Sequence, residues 1–198
     1  MKKLAIILAA TTMLSGPVLA QSVGEKTGVN STLGIAPKTQ DFVTEAANSD
    51  MLEIAAAKIA QQKGNAEEKK FAEQMITDHT RTSADIKQLI ASGAVKADLP
   101  TALNSSSQSK LDKLTQAKPE EFSATYSPMQ VSAHEDAVSL FERYAKGGDN
   151  AKLKDWAGKT LPALQHHLKM AQDLENKRRG ATVGSAPSRE TPAPYGAK

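Results

Sequence analysis

Apolar residues recur at spacings of three and four along four long stretches of this chain, and no stretch alternates with a period of two. The first pattern marks one face of an α-helix, whereas the second would mark strands. The first stretch, residues 39–63, steps through Phe42, Ala46, Ser49, Glu53, Ala56 and Ala60. Gly64 ends it, and Asn65 with Glu68 three residues on forms the capping box that starts the next helix. That helix presents Ala72, Met75, His79, Thr82, Ile86 and Leu89, and stops at Gly93. A polar linker with Pro100 and the serines at 105–107 follows, then a short helix over residues 108–117. Pro119 with Glu120 and Glu121 opens the third long helix, since proline suits the first helical position and acids suit the first turn. Its face is Phe122, Tyr126, Gln130, His134, Ala137, Phe141 and Tyr144, and Gly147-Gly148 terminates it. Asp149 is placed to cap the fourth helix, whose face is Leu153, Ala157, Thr160, Leu164, His167, Ala171 and Leu174. Arg178, Arg179 and Gly180 close it, and Pro128 and Pro162 are expected to kink the helices that contain them.

Short glycine turns join the first pair of helices and the second pair, so each pair is an antiparallel hairpin. Two hairpins with a longer central connection predict an all-α, antiparallel four-helix bundle, with the short extra helix in the connection. Four polar residues interrupt the apolar faces near mid-helix: Glu53, His79, His134 and His167. A carboxylate and three imidazoles are all metal-ligand types, and burying them uncompensated is costly.

The chain ends do not share this pattern. A basic Met1-Lys2-Lys3, an apolar run over residues 4–14 and Val18-Leu19-Ala20 read as a signal peptide cut after Ala20. Export to the periplasm or beyond follows as the expectation, and no later segment is apolar enough to cross a membrane. Residues 21–37, rich in Gly, Ser and Thr, read as a flexible mature N-terminus; the bundle spans residues 38–179, and residues 180–198 read as a disordered basic tail. The chain has no cysteine, which removes disulfides and thiolate ligands together. Losing Lys2 and Lys3 turns the formal charge of +3 into +1. Residues 177–198 hold five basic residues and one acid, so the remaining body is mildly acidic. That balance, with aromatics at 4%, argues against a nucleic-acid partner. It leaves weak contact of the tail with anionic envelope polymers as its one suggested partner.

Several stretches resemble the domain-of-unknown-function 4142 family. They are Phe42-Val43-Thr44-Glu45-Ala46-Ala47, Phe71-Ala72-Glu73-Gln74-Met75 with Asp78-His79, Phe122 with Tyr126 and His134, and Thr160-Leu161-Pro162 with His167. Together they cover about residues 39–174. The resemblance implies an exported bacterial protein with a ferritin-like helical fold, and no particular activity. The family often carries Asp where this chain has Ser123, so no carboxylate role is carried over there.

Three imidazoles and one carboxylate suit zinc, or iron, manganese or nickel if water completes the shell. A ferritin-type di-iron centre needs Glu three residues before its histidines. Those positions hold Ile76, Val131 and Leu164, which disfavours a two-metal oxidase. Asp78, Glu135 and Asp136 adjoin the ligand candidates but fall off the apolar faces; they read either as groups that support the ligands from outside or as simply solvated charges, with solvation the expectation. His166 would need a helix rotation to replace His167. No phosphate loop and no nucleophile elbow is present. Three readings remain: a metal-binding envelope or stress-response bundle, a metal-dependent oxidoreductase, and an interaction bundle whose polar core is only hydrogen-bonded.

Overall fold

A computed structural model of the chain describes residues 29–184, with side chains over residues 30–181. The stretch read as a signal peptide and most of the expected tail lie outside the described residues. Among the described residues there are six helices and no strand: α1 (Val29–Thr32), α2 (Thr39–Lys63), α3 (Ala66–Ala91), α4 (Ser105–Gln116), α5 (Pro119–Gly147) and α6 (Ala151–Gly184). The four long helices match the four apolar patterns. They form two hairpins, α2–α3 and α5–α6, which pack with α2 against α5 and α3 against α6. Phe42 at the start of α2 stacks on Tyr144 at the end of α5, with ring centroids 4.0 Å apart. Asp85 near the end of α3 accepts a hydrogen bond from Trp156 near the start of α6. Neighbouring helices are thus antiparallel all round, and the connection from α3 to α5 must travel the length of the bundle.

That connection is tied to α2 along its whole course. Gln40 exchanges hydrogen bonds with the backbone of Asp98. Asn48 donates to Ser107 and accepts from the Asn104 backbone. Lys63 donates to the carbonyls of Thr115 and Ala117, which would otherwise end α4 unpaired. Because α2 is covered on three sides, its buried face is wider than one seam. Asn48 and Asp50 are buried, while Ser49, placed on the seam by its spacing, is only half-buried.

Several boundaries differ from expectation, each for a local reason. The serines at 105–107 begin α4 rather than belonging to the linker, because the Asn104 side chain caps the Ser107 amide. The stretch expected to be a flexible N-terminus contains α1, and Pro37 is buried; the Ile35 carbonyl accepts a bond from Arg143 at 2.7 Å. Helix α6 does not stop at Gly180 but reaches Gly184. Gly180 does not take the positive φ of a left-handed stop, and one glycine in an exposed helix costs only about 1 kcal/mol. Three of the five basic residues assigned to the tail are engaged there: Lys177 pairs with Glu67, and Arg178 and Arg179 with Glu175.

Asp149 does not cap α6. Its carboxylate accepts from the backbone amide of Thr39 at 3.0 Å and from the Thr39 hydroxyl at 2.6 Å, so it caps α2 from across the bundle. Asn150 caps α6 instead, accepting from the Leu153 amide. Gly148 has an ordinary extended backbone, and its requirement is space: a Cβ there would lie 2.6 Å from the Tyr144 ring. Helices α5 and α6 continue as α-helix past Pro128 and Pro162.

The apolar core is in two parts. One surrounds Phe42, Phe141, Tyr144 and Leu153 at one end of the bundle. The other surrounds Ala60, Phe71, Met75 and Phe122 at the opposite end. A layer of buried polar residues lies between them.

Candidate metal centre

The polar layer is built from one or two turns of each long helix. Helix α2 contributes Asp50 and Glu53, α3 contributes Asp78, His79 and Thr82, α5 contributes Gln130 and His134, and α6 contributes His167, all buried. The imidazoles of His79, His134 and His167 meet in the core. Ring centroids are 5.8 Å apart for His79 and His134, and 5.5 Å for each of the other two pairs. One ring nitrogen from each lies within 4.8 Å of the others. Three points so spaced share a centre no more than about 2.8 Å from each, against a zinc–nitrogen bond of about 2.1 Å. Side-chain movements of under about 1 Å therefore bring all three to bonding distance of one ion.

Each ring is oriented by an acceptor on its other nitrogen. His79 Nδ1 is 2.8 Å from Asp50 Oδ1, and His167 Nε2 is 2.9 Å from Asp78 Oδ2. His134 Nδ1 is 2.9 Å from the Gln130 carbonyl, which can only accept. Neutral rings in this arrangement carry their protons on those nitrogens. The lone pairs are then left on His79 Nε2, His134 Nε2 and His167 Nδ1, the three nitrogens that have no hydrogen-bond partner. Three buried lone pairs in one compact cluster repel unless a cation or a proton lies among them. Ligating histidines characteristically show this pattern of an outer acceptor and an inward lone pair.

The acid–base properties follow from burial and charge. Burial opposes a charge on His79, but the Asp50 hydrogen bond and the charges of Asp50, Glu53 and Asp78 outweigh it and raise its pKa. At His134 burial dominates, His79 adds to it, and the pKa falls despite Glu53. His167 is pushed down to about 4, chiefly by burial, with Asp78 opposing and the other two rings assisting. Burial alone would raise Asp78, yet its bonds with Gln74 and His167 bring it below the ordinary carboxylate range.

Glu53 is 1% exposed, and neither of its oxygens has a hydrogen-bond partner. Its charge acts on His79, His134 and Tyr126, but it is not one of the three groups within 4.8 Å. His167 is buried and His166 is exposed. Glu135 and Asp136 are exposed; Asp78, expected to be solvated, is buried against His167 instead. One residue before His79 on α3, Asp78 is turned toward α6, and that helix covers it. Asp50 was not singled out by spacing. It accepts from His79, Thr82 and Ser83, and its position three residues before Glu53 was the signal available. A groove of about 270 Å³ between α3 and α6 reaches His79, Asp78 and His167 from the surface.

The family described as "Domain of unknown function (DUF4142)" matches residues 24–174. The chain belongs to that family. The DUF4142 match takes in all three histidines, Glu53 and both orienting aspartates. Searches of curated proteins and of solved structures gave no significant match. Among the described residues, no helix of this DUF4142 protein is long and apolar enough to cross a membrane.

Proposed function

We propose that this protein is an exported helical bundle that holds one divalent metal ion on His79, His134 and His167, with the buried Glu53 carboxylate beside them. One observation carries the reading: three buried imidazoles, each fixed by an outer acceptor and each with its other nitrogen unpartnered, cluster in the core. An ion relieves their mutual repulsion and offsets the negative charges of Glu53, Asp50 and Asp78. Three imidazoles suit zinc or iron, and the neighbouring carboxylate extends the choice to manganese. The connection that crosses the bundle is the kind used by ferritin-like folds, though the carboxylates of a di-iron site are not at their places. Export is supported by the leader-like residues 1–20.

The test is elemental analysis of untagged protein recovered from the envelope fraction. About one divalent ion per chain is expected, together with a native N-terminus at Gln21. A metal-free protein that gains no thermal stability from zinc, manganese or iron(II) overturns the metal reading. An intact Met1 overturns export.

A second reading has its own support in the raised pKa of His79. A protonated His79 could donate from Nε2 to the lone pair of His134 or His167, giving a hydrogen-bonded core without metal. In that case the as-purified protein carries no ion, and replacing His79 disturbs stability to the same degree with and without added metal.

A further inference from the structure

On the side of Glu53, the polar layer contains more unpartnered groups than the three imidazoles. Tyr126, Gln130 and His134 occupy successive turns of one face of α5, and all three are essentially fully buried. The Tyr126 hydroxyl, both ends of the Gln130 amide and both Glu53 oxygens have no hydrogen-bond partner. The Glu53 charge acts on Tyr126 as well as on His79 and His134, so the buried carboxylate neighbours the phenol and two of the imidazoles. Five such buried atoms are costly to leave unpaired. They are chemically complementary to a small hydrogen-bonding ligand: the phenol and amide N–H donate, and the carboxylate and amide oxygen accept.

We infer that the fourth coordination position belongs to an exchangeable water, hydroxide or small anion, held in a chamber formed by Glu53, Tyr126 and Gln130. The inference rests on the three-histidine metal centre proposed above. Glu53 then acts as acceptor for the metal-bound solvent and is not itself a ligand, in keeping with its place outside the compact histidine group. A bound water needs two to four polar partners, and these three side chains with the metal supply them. Three protein ligands and one exchangeable position characterise reactive metal sites, whereas a closed set of four characterises structural ones.

Cobalt(II) loading of the full chain, followed by azide titration in the visible spectrum, tests this. Azide should displace the solvent ligand and shift the bands, with about one cobalt retained per chain. Glu53→Gln should keep cobalt and bind azide about tenfold more tightly, because a charge that repels the anion is gone. Tyr126→Phe should keep cobalt and bind azide more weakly, because a donor is lost. The opposite signs separate a chamber from general loosening, and circular dichroism checks that each variant is folded. A wild-type spectrum indifferent to azide overturns the inference, and loss of cobalt in Glu53→Gln then names Glu53 as the fourth ligand. Failure of the wild-type chain to bind cobalt at all would instead remove the metal centre on which the inference depends.

Discussion

Asp50 and Asp78 do for two of the histidines what a backbone carbonyl does for His134: they decide which nitrogen faces inward. Replacing either with Asn should weaken metal binding by about 10- to 100-fold while leaving the ion's direct ligands in place, as measured by competition with a chromophoric chelator. Replacing exposed His166 should change nothing. The metal-free protein has a distinct acid response. Above pH 6.5 His167 is neutral folded and unfolded, and contributes no pH dependence. As pH falls from 6.5 toward 4, the unfolded chain binds a proton that the folded ring refuses, so stability drops. The loss is on the order of 3 kcal/mol once both states are protonated. His79, with its raised pKa, works in the opposite sense, adding stability in acid that is lost as pH rises through its folded value. Denaturant titrations of metal-free His167→Gln should therefore show a shallower decline between pH 6.5 and 4. The choice of His167 over its neighbour was legible because the apolar spacing from Leu164 to Ala171 passes through it. Asp78 was not, because its burial is decided by α6, whose His167 lies 89 positions away along the chain.

At the scale of elements, signals that act within a few residues were readable and those that act across the bundle were not. Asn65 and Glu68 form their capping box as spacing predicts, with Asn65 accepting from the Glu68 amide and Glu68 from the Asn65 amide. Asp149 sits beside a helix start of its own, yet it caps α2, 110 residues away, because Asn150 already serves α6. Lys38, at the cap position of α2, makes no side-chain cap, so the amide of Thr39 and the positive end of the helix depend on Asp149. Asp149→Ala should cost about 1 kcal/mol and lower Tm by roughly 2–4 °C in a domain of this size. Adding Lys38→Ala should add little, since its ion-pair partner Asp149 is already gone and Lys38 makes no side-chain cap of its own. If the double variant falls much further than the single one, the cap lies elsewhere than in Asp149. The same distinction explains the crossover. Its helical turn was visible, but its attachment through Gln40, Asn48 and Lys63 depends on which face of α2 the connection crosses.

At the scale of the molecule, the division of the core into two apolar halves makes the polar layer its weakest plane without an ion. Each half is held by ordinary apolar packing, whereas the layer between them holds three repelling lone pairs and a carboxylate without a partner. His79 belongs to the α2–α3 hairpin, and His134 and His167 belong to the α5–α6 hairpin. A shared ion therefore links the two hairpins at mid-height, between the two apolar clusters. Binding to the folded state alone at a free concentration of 100 times Kd adds about 2.7 kcal/mol. For a domain of this length that corresponds to a rise in Tm of roughly 5–10 °C. Hydrogen exchange should slow most around residues 50–53, 79–82, 130–134 and 164–167, and least in the turns at either end. Chelation should reverse both effects. A uniform slowing along all four helices would mean that the ion acts on overall stability from some other place. An unchanged Tm with zinc, manganese and iron(II) alike would mean that the layer is held by its hydrogen bonds alone.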